Sequence, residues 1–133
     1  MCIFCKIVNQ AIPAFRVFED DKTLAFLDIN PMAPGHTLVI PKVHYQNLEA
    51  IPEAELFRMM STVKKIAKLL KDKLPATGYN ILENNDPVSG QDIPHLHFHI
   101  IPRSENDNLK LWSPGRYALG AAEEILKKLK TEI

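Results

Sequence analysis

The spacing of apolar positions changes along the chain, and each change marks an element. From Glu53 to Leu74, the residues Leu56, Met59, Met60, Val63, Ile66, Ala67, Leu70 and Leu74 recur at intervals of three and four. Lys64, Lys65, Lys68 and Lys71 fill the opposite face. This spacing predicts one long amphipathic packing helix, with Pro52 in its first turn and Pro75 as its stop. Shorter apolar runs flank it. FRVFED and TLAFLDI (Phe15–Asp20 and Thr23–Ile29) predict two strands hinged at Asp21–Lys22. The loop NPMAPGH leads into HTLVIPK, a third strand whose unbroken apolar run predicts burial on both faces. GYNILEN predicts a fourth strand, DPVSGQD a polar loop, and HLHFHIIP a fifth strand ended by Pro102. From about Tyr117 to Lys130 helical spacing returns through Leu119, Ala122, Ile125, Leu126 and Leu129. Strands grouped apart from helices predict an antiparallel α+β domain.

Composition narrows the classes. A chain of 133 residues fits one domain, 1–133, large enough to bury a core. Sixteen Lys plus Arg balance sixteen Asp plus Glu, which argues against a general nucleic-acid binder dependent on clustered basic charge. No apolar run approaches the roughly 20 residues of a membrane span, and MCIFCKIVNQ lacks the long apolar core of a secretory signal. The expected address is cytoplasmic, away from membranes. Cys2 and Cys5, the only cysteines, are too close for a useful structural cross-link.

Three of the five histidines fall in HLHFHI, His95 to Ile100. On a strand, His95, His97 and His99 share one face, and Leu96, Phe98 and Ile100 face a core. A solvated sheet face gives no reason for three aligned imidazoles. A metal site is one alternative, but same-face neighbours lie about 6.6 Å apart, so His95 and His99 are separated by roughly 13 Å along the backbone. Zinc gathers its donors within a few ångströms, so all three rings on one ion would be strained. The other alternative is nucleophilic catalysis. Neutral imidazole, with an ordinary pKa near 6.5, has one nitrogen free to attack phosphorus, and His97 has a ring on each side to support it. In the preceding loop, Ser89, Gly90 and Gln91 suit a phosphate cradle. The pair in CIFC is open between zinc, redox chemistry and chance. Zinc would need two more ligands, for which His36, His44 and one triad histidine are available.

GQDIPHLHFHIIPR resembles the signature of the histidine triad (HIT) proteins, a Gly-Gln pair followed by His-x-His-x-His and apolar residues. CIFCKI, AIP, FEDD, LAFLDINPMAPGHTLVIPKVH and the Asn pair before the Gly-Gln loop stand in that family's order, so the resemblance spans roughly Cys2 to Arg103, followed by a tail, 104–133. It implies a HIT-like fold: a five-stranded antiparallel meander, one long helix, and short N-terminal and C-terminal helices. It also implies a hydrolase or transferase that cleaves at the α-phosphate of nucleoside phosphoramidates or dinucleoside polyphosphates. By that resemblance His97 is the nucleophile that becomes a nucleotidyl-histidine, and the His95 carbonyl sets its tautomer. His99 contacts the α-phosphate and assists the leaving group, and His36 braces the site. Gln91 and Asn84 are amides near phosphate and leaving group, alongside Ser89 and Gly90. Asp28 binds ribose hydroxyls, with Phe4, Phe26 and Ile29 as the wall against an adenine-class base. Members with this N-terminal pair hold structural zinc, here on Cys2, Cys5, His44 and His95. No organic cofactor is implied, and such proteins usually pair as homodimers with a continuous sheet.

The chain departs from the pattern at Asp86-Pro87, where many relatives have glycine, and at Asp92, where some carry serine. Two carboxylates there would repel a polyphosphate unless they point away or meet a cation. Two rival functions stand beside the enzyme: a nucleotide-binding regulatory domain with vestigial catalysis, and a zinc-dependent hydrolase with triad ligands. Three further residues carry weaker expectations. Lys42 is a solvated lysine, Arg103 either faces substrate or caps the sheet end, and Trp112 packs in the core or at an interface.

Overall fold

A computed structural model describes residues 1–130 of the chain; the last three residues of the predicted tail lie outside them. The elements run α1 (Ile3–Val8), β1 (Arg16–Glu19), β2 (Thr23–Leu27), β3 (Thr37–Pro41), α2 (Glu53–Lys73), β4 (Gly78–Glu83), β5 (Phe98–Arg103) and α3 (Ala121–Leu129). All five strands join one antiparallel sheet.

The long helix lies where its spacing predicts. Met59, Val63, Ile66, Ala67 and Leu70 pack on one sheet face against Ala25, Val39, Leu96, Phe98 and Ile100. The other face is covered by α1, where Phe4 and Ile7 meet Leu24, Phe26, Leu38 and Ile40. Alternate residues of β2 and β3 therefore serve two different cores. That is why the run TLVIP has no polar face and is buried at every position.

The strand order, β1-β2-β3-β5-β4, departs from a simple meander. After β3 the chain crosses over as α2 and lays β4 on the outer edge. β5 then returns into the gap, pairing Leu38 with His99 on one side and Leu82 with His99 on the other. The fifth strand also starts later than its alternation predicts. His95, Leu96 and His97 precede it, because the Leu96 N–H bonds the Tyr45 carbonyl at 2.7 Å instead of a ladder partner. Their side chains still alternate, with Leu96 in the α2-facing core. The last helix starts at Ala121, not Tyr117, since Gly120 takes a left-handed conformation (φ 83°) that interrupts the helical path.

Trp112 is not a core residue, being 88% exposed. Arg103 caps the sheet end: its guanidinium bonds Asn80 at 2.7 Å, Asp107 at 2.7 Å and the Leu109 carbonyl at 2.9 Å, pinning the start of the tail. Lys42 is held by Glu19 at 2.6 Å. Among the described residues no helix is long and apolar enough to cross a membrane.

Gly35 turns the chain into β3 with φ +92°, where a Cβ would strike the Leu74 side chain and lie 3.3 Å from the Pro102 ring. Gly35→Ala combines a left-handed penalty with overpacking. It is expected to lower unfolding free energy by about 2–4 kcal/mol, as read by urea denaturation.

Candidate active site and metal cluster

Backbone groups fix how each buried ring is protonated. The Met32 N–H donates to His36 Nδ1 at 3.0 Å, which leaves the His36 proton on Nε2. That nitrogen donates to His99 Nδ1 at 2.9 Å, so His99 carries its own proton on Nε2. The next ring is set in the opposite sense. His97 Nδ1–H donates to the His95 carbonyl at 2.7 Å, and in the neutral ring Nε2 is left with a free electron pair. His95 Nε2–H donates to the Pro41 carbonyl at 2.9 Å, leaving Nδ1 as an acceptor. One donor face and one nucleophilic face thus stand side by side on rings with centroids 4.9 Å apart.

Burial keeps the supporting rings uncharged. It is the main cause holding His95 and His99 down at about 4. For His99 the neighbouring rings His97 and His36 add to the depression, and Asp28 and Asp92 oppose it. His36 is also lowered, by burial against the opposing pull of Asp28. Asp28 is oriented by the Asn30 N–H at 2.9 Å, and its second oxygen lies 3.7 Å from His36 Nε2.

The histidines depressed below the ordinary 6.5 bind fewer protons folded than unfolded. Their contribution to stability is fully present above about 6.5 and is lost as pH falls towards about 4. Thermal unfolding at constant ionic strength is expected to give a midpoint that is level at neutral pH and declines through that window. The decline should be shallower in His99→Gln.

A cavity of about 240 Å³ opens beside these rings, and its lining includes Phe4, Phe26, Asp28, Ile29, His97 and His99. Phe4 meets His97 edge-on with centroids 5.1 Å apart, so this wall also steadies the ring. Asp92 and the Ile12–Pro13–Ala14 segment line the cavity as well. The only signal for that segment was AIP, which the resemblance noted without giving it a role. His36 stands behind His99 and His95 behind His97, and both are buried.

The polar loop is placed differently. Asn84, Ser89, Gly90 and Gln91 are not among the cavity-lining residues. Gln91 accepts from the Asp86 N–H at 2.8 Å and donates to the carbonyls of Gln46 at 2.7 Å and Ile93 at 3.2 Å. The Ser89 hydroxyl donates to the Asn85 carbonyl at 2.6 Å. Gly90 sits at φ +107° with the Asn84 amide 3.4 Å from where a Cβ would lie. These residues brace the loop that delivers Asp92 and the triad.

A second cluster lies on the far side of His95. Its Nδ1, His44 Nδ1 and the sulfurs of Cys2 and Cys5 are mutually 3.2–3.6 Å apart along all six edges. A zinc tetrahedron with Zn–S of about 2.3 Å and Zn–N of about 2.0–2.1 Å has edges of roughly 3.3–3.8 Å. The donor set fits, and the tautomer of His95 leaves its cluster-facing nitrogen unprotonated. Asp28, His36 and His99 also converge. There, however, the proton between His36 and His99 occupies the space between their nitrogens, and the hydrogen-bond chain accounts for the grouping.

A five-stranded antiparallel sheet with three alternating imidazoles, two of them lining one cavity and the third buried behind, braced by a fourth, defines a histidine-triad domain. The chain belongs to the HIT domain family, which it matches over residues 9–106. A HIT-like protein of Methanocaldococcus jannaschii is 50% identical over 130 residues, covering 98% of this chain and 99% of that one. The adenosine 5'-monophosphoramidase of Candida albicans is 44% identical over 108 residues, 78% of this chain and 71% of that one. Among solved structures, a HIT family protein from Bacillus subtilis superposes with TM-score 0.90 at 36% identity, covering 99% of this chain and 96% of that one. A zinc-bound histidine triad protein from Mycobacterium smegmatis gives TM-score 0.79 at 34% identity, with coverages of 99% and 97%.

Proposed function

We propose that this chain is a nucleotidyl hydrolase or transferase that moves an adenylate-class group through a covalent intermediate on His97. The observation that carries the reading is the opposed protonation of two adjacent rings. His97 Nε2 faces the cavity with a free pair, while His99 Nε2 bears a proton suited to a phosphate oxygen. In the first step the His97 pair forms a bond to the α-phosphorus, and the bond to the leaving group breaks with its own pair. Water then attacks phosphorus and displaces Nε2. Over both steps the water's hydroxyl ends on phosphorus and its proton on the departing group. Charge building on the phosphate oxygens meets the His99 donor, and two in-line displacements replace one harder step. Asp28 receives the ribose hydroxyls, and Phe4, Phe26 and Ile29 hold the base. Gln91 serves chiefly by bracing the loop, with Asn84, Ser89 and Gly90 at its rim.

Relatives named adenosine 5'-monophosphoramidase support the substrate class. The Cys2, Cys5, His44 and His95 cluster is proposed to hold structural zinc, supported by its edge lengths and by the zinc-bound neighbour. Four protein donors close a tetrahedral site and leave no position for substrate, which disfavours a zinc-dependent hydrolysis. A homodimer through the open edge of β4, where Tyr79 and Ile81 are exposed, completes the proposal.

The test is intact-mass spectrometry after millisecond mixing with an adenosine 5'-phosphoramidate. One adenylate per chain, absent from His97→Ala, is the expected result. Turnover by His97→Ala at the parent rate would overturn it.

A further inference from the structure

The Cys2, Cys5, His44 and His95 cluster is wet on one side and dry on the other. His44 is exposed and both cysteines are half-buried, whereas His95 is fully buried. A small oxidant can therefore reach the sulfurs, and a change there passes inward through His95. The two Sγ atoms lie 3.4 Å apart, so a disulfide of about 2.05 Å needs them to close by roughly 1.4 Å. Cys2 stands outside α1 with extended backbone (φ −71°, ψ 165°), so its side chain can turn without unwinding the helix. The loop so closed is only Cys2–Cys5, which gives the cross-link little chain-entropy stabilisation and leaves it open to reduction. A bond that makes a poor staple makes a good reversible one.

We infer that Cys2 and Cys5 are a peroxide-sensitive pair whose oxidation to a disulfide empties the zinc site and slows the reaction at His97. This rests on the zinc assignment above. The oxidant is a hydroperoxide, here hydrogen peroxide. One thiolate takes up a peroxide oxygen as the oxygen–oxygen bond breaks and hydroxide leaves. The second thiolate attacks that sulfur and displaces a second hydroxide. Two electrons pass from the sulfurs to the peroxide, and two protons from solvent complete two waters. With both thiolates gone, His44 and His95 alone do not retain the ion. His95 then loses its tie on the cluster side, and it is the residue whose carbonyl holds the His97 Nδ1 proton at 2.7 Å.

The test treats the zinc-loaded parent with excess hydrogen peroxide, below the thermal midpoint of its chelated form. Atomic emission after desalting counts zinc, intact mass with and without iodoacetamide counts disulfides and thiols, and kcat is read on an adenosine 5'-phosphoramidate. Zinc is expected to fall from one per chain in step with the loss of both alkylatable thiols and of two hydrogens within a single chain. The same protein should show kcat within about twofold of the chelated parent's. A trialkylphosphine with added zinc should restore all three, and the phosphine with a chelator should restore the thiols alone. The double variant Cys2→Ser, Cys5→Ser should lose no further activity to peroxide. Thiols that stay alkylatable, zinc retained after they oxidise, sulfinic acid or an interchain bond in place of the internal one, kcat unchanged in the oxidised parent, or an equal peroxide loss in the double variant each overturn the inference. A parent that holds no zinc before treatment overturns the zinc assignment, and the inference with it.

Discussion

His97→Ala is expected to lower kcat/KM on an adenosine 5'-phosphoramidate by at least about 10³-fold, the scale on which removal of a covalent nucleophile is felt. The loss should lie in kcat, because the cavity walls that hold the base and ribose are left in place. His99→Ala should cost less, about 10²-fold, since it removes one donor to the phosphate oxygens but leaves the attacking pair. His36→Ala should cost least of the three, because His36 acts by fixing the proton of His99 and not by meeting substrate. Its signature is a changed pH profile: without the Met32–His36–His99 chain, nothing holds the His99 proton on Nε2. His97 is buried, so truncation also opens space against Phe4. His97→Asn fills part of that space and should be as inactive as alanine, which separates lost chemistry from lost packing. Comparable turnover by both variants and the parent would remove His97 from the reaction.

The elements were legible where burial alone dictates spacing. The α2 face, the doubly buried run of β3 and the alternation of Leu96, Phe98 and Ile100 all follow from which side chains must avoid water. The position of β4 outside β5 was not, because local pattern does not say which edge a strand takes after a helical crossover. The start of β5 was hidden for a related reason. Tyr45 supplies the carbonyl that takes the Leu96 N–H, and nothing near HLHFHI announces that partner. The identity of the triad and the His95 carbonyl that sets the His97 tautomer could be read from the motif and its resemblance, but the protonation of the His36–His99 pair could not. His36 and His99 are 63 residues apart, and the donor that sets the pair is a main-chain amide at Met32, which any residue but proline could supply. The rim loop carries contacts that its composition does not announce. Gln91 and Ser89 are expected from the sequence as phosphate ligands, and in the structure their polar groups also bond the loop's own backbone and that of Gln46. Asp92, noted in the sequence only as a departure, proves to be the loop residue that lines the cavity.

Cys2→Ser or Cys5→Ser is expected to abolish retention of one zinc per chain, counted by atomic emission after dialysis. It should also lower stability by more than about 2 kcal/mol, because binding at a closed four-donor site adds directly to folding free energy. The consequence for activity follows from the position of His95. Its Nδ1 faces the cluster, its Nε2 is tied to the Pro41 carbonyl, and its own carbonyl holds the His97 proton. Releasing the first contact frees the residue that sets the nucleophile's tautomer. Chelation is therefore expected to lower kcat several-fold without changing which residue carries the adenylate, and added zinc should restore both rate and thermal midpoint. His44→Ala makes the comparison sharper, since the proposed ligand His44 lies between β3 and α2, outside the segment that carries His97. It should lose zinc and stability to a similar degree while keeping a measurable His97 adduct. If chelation erased the adduct and all turnover in protein that remained folded, the metal would have to act on substrate. A parent that retained no zinc after refolding in its presence would overturn the assignment of these four residues to a metal.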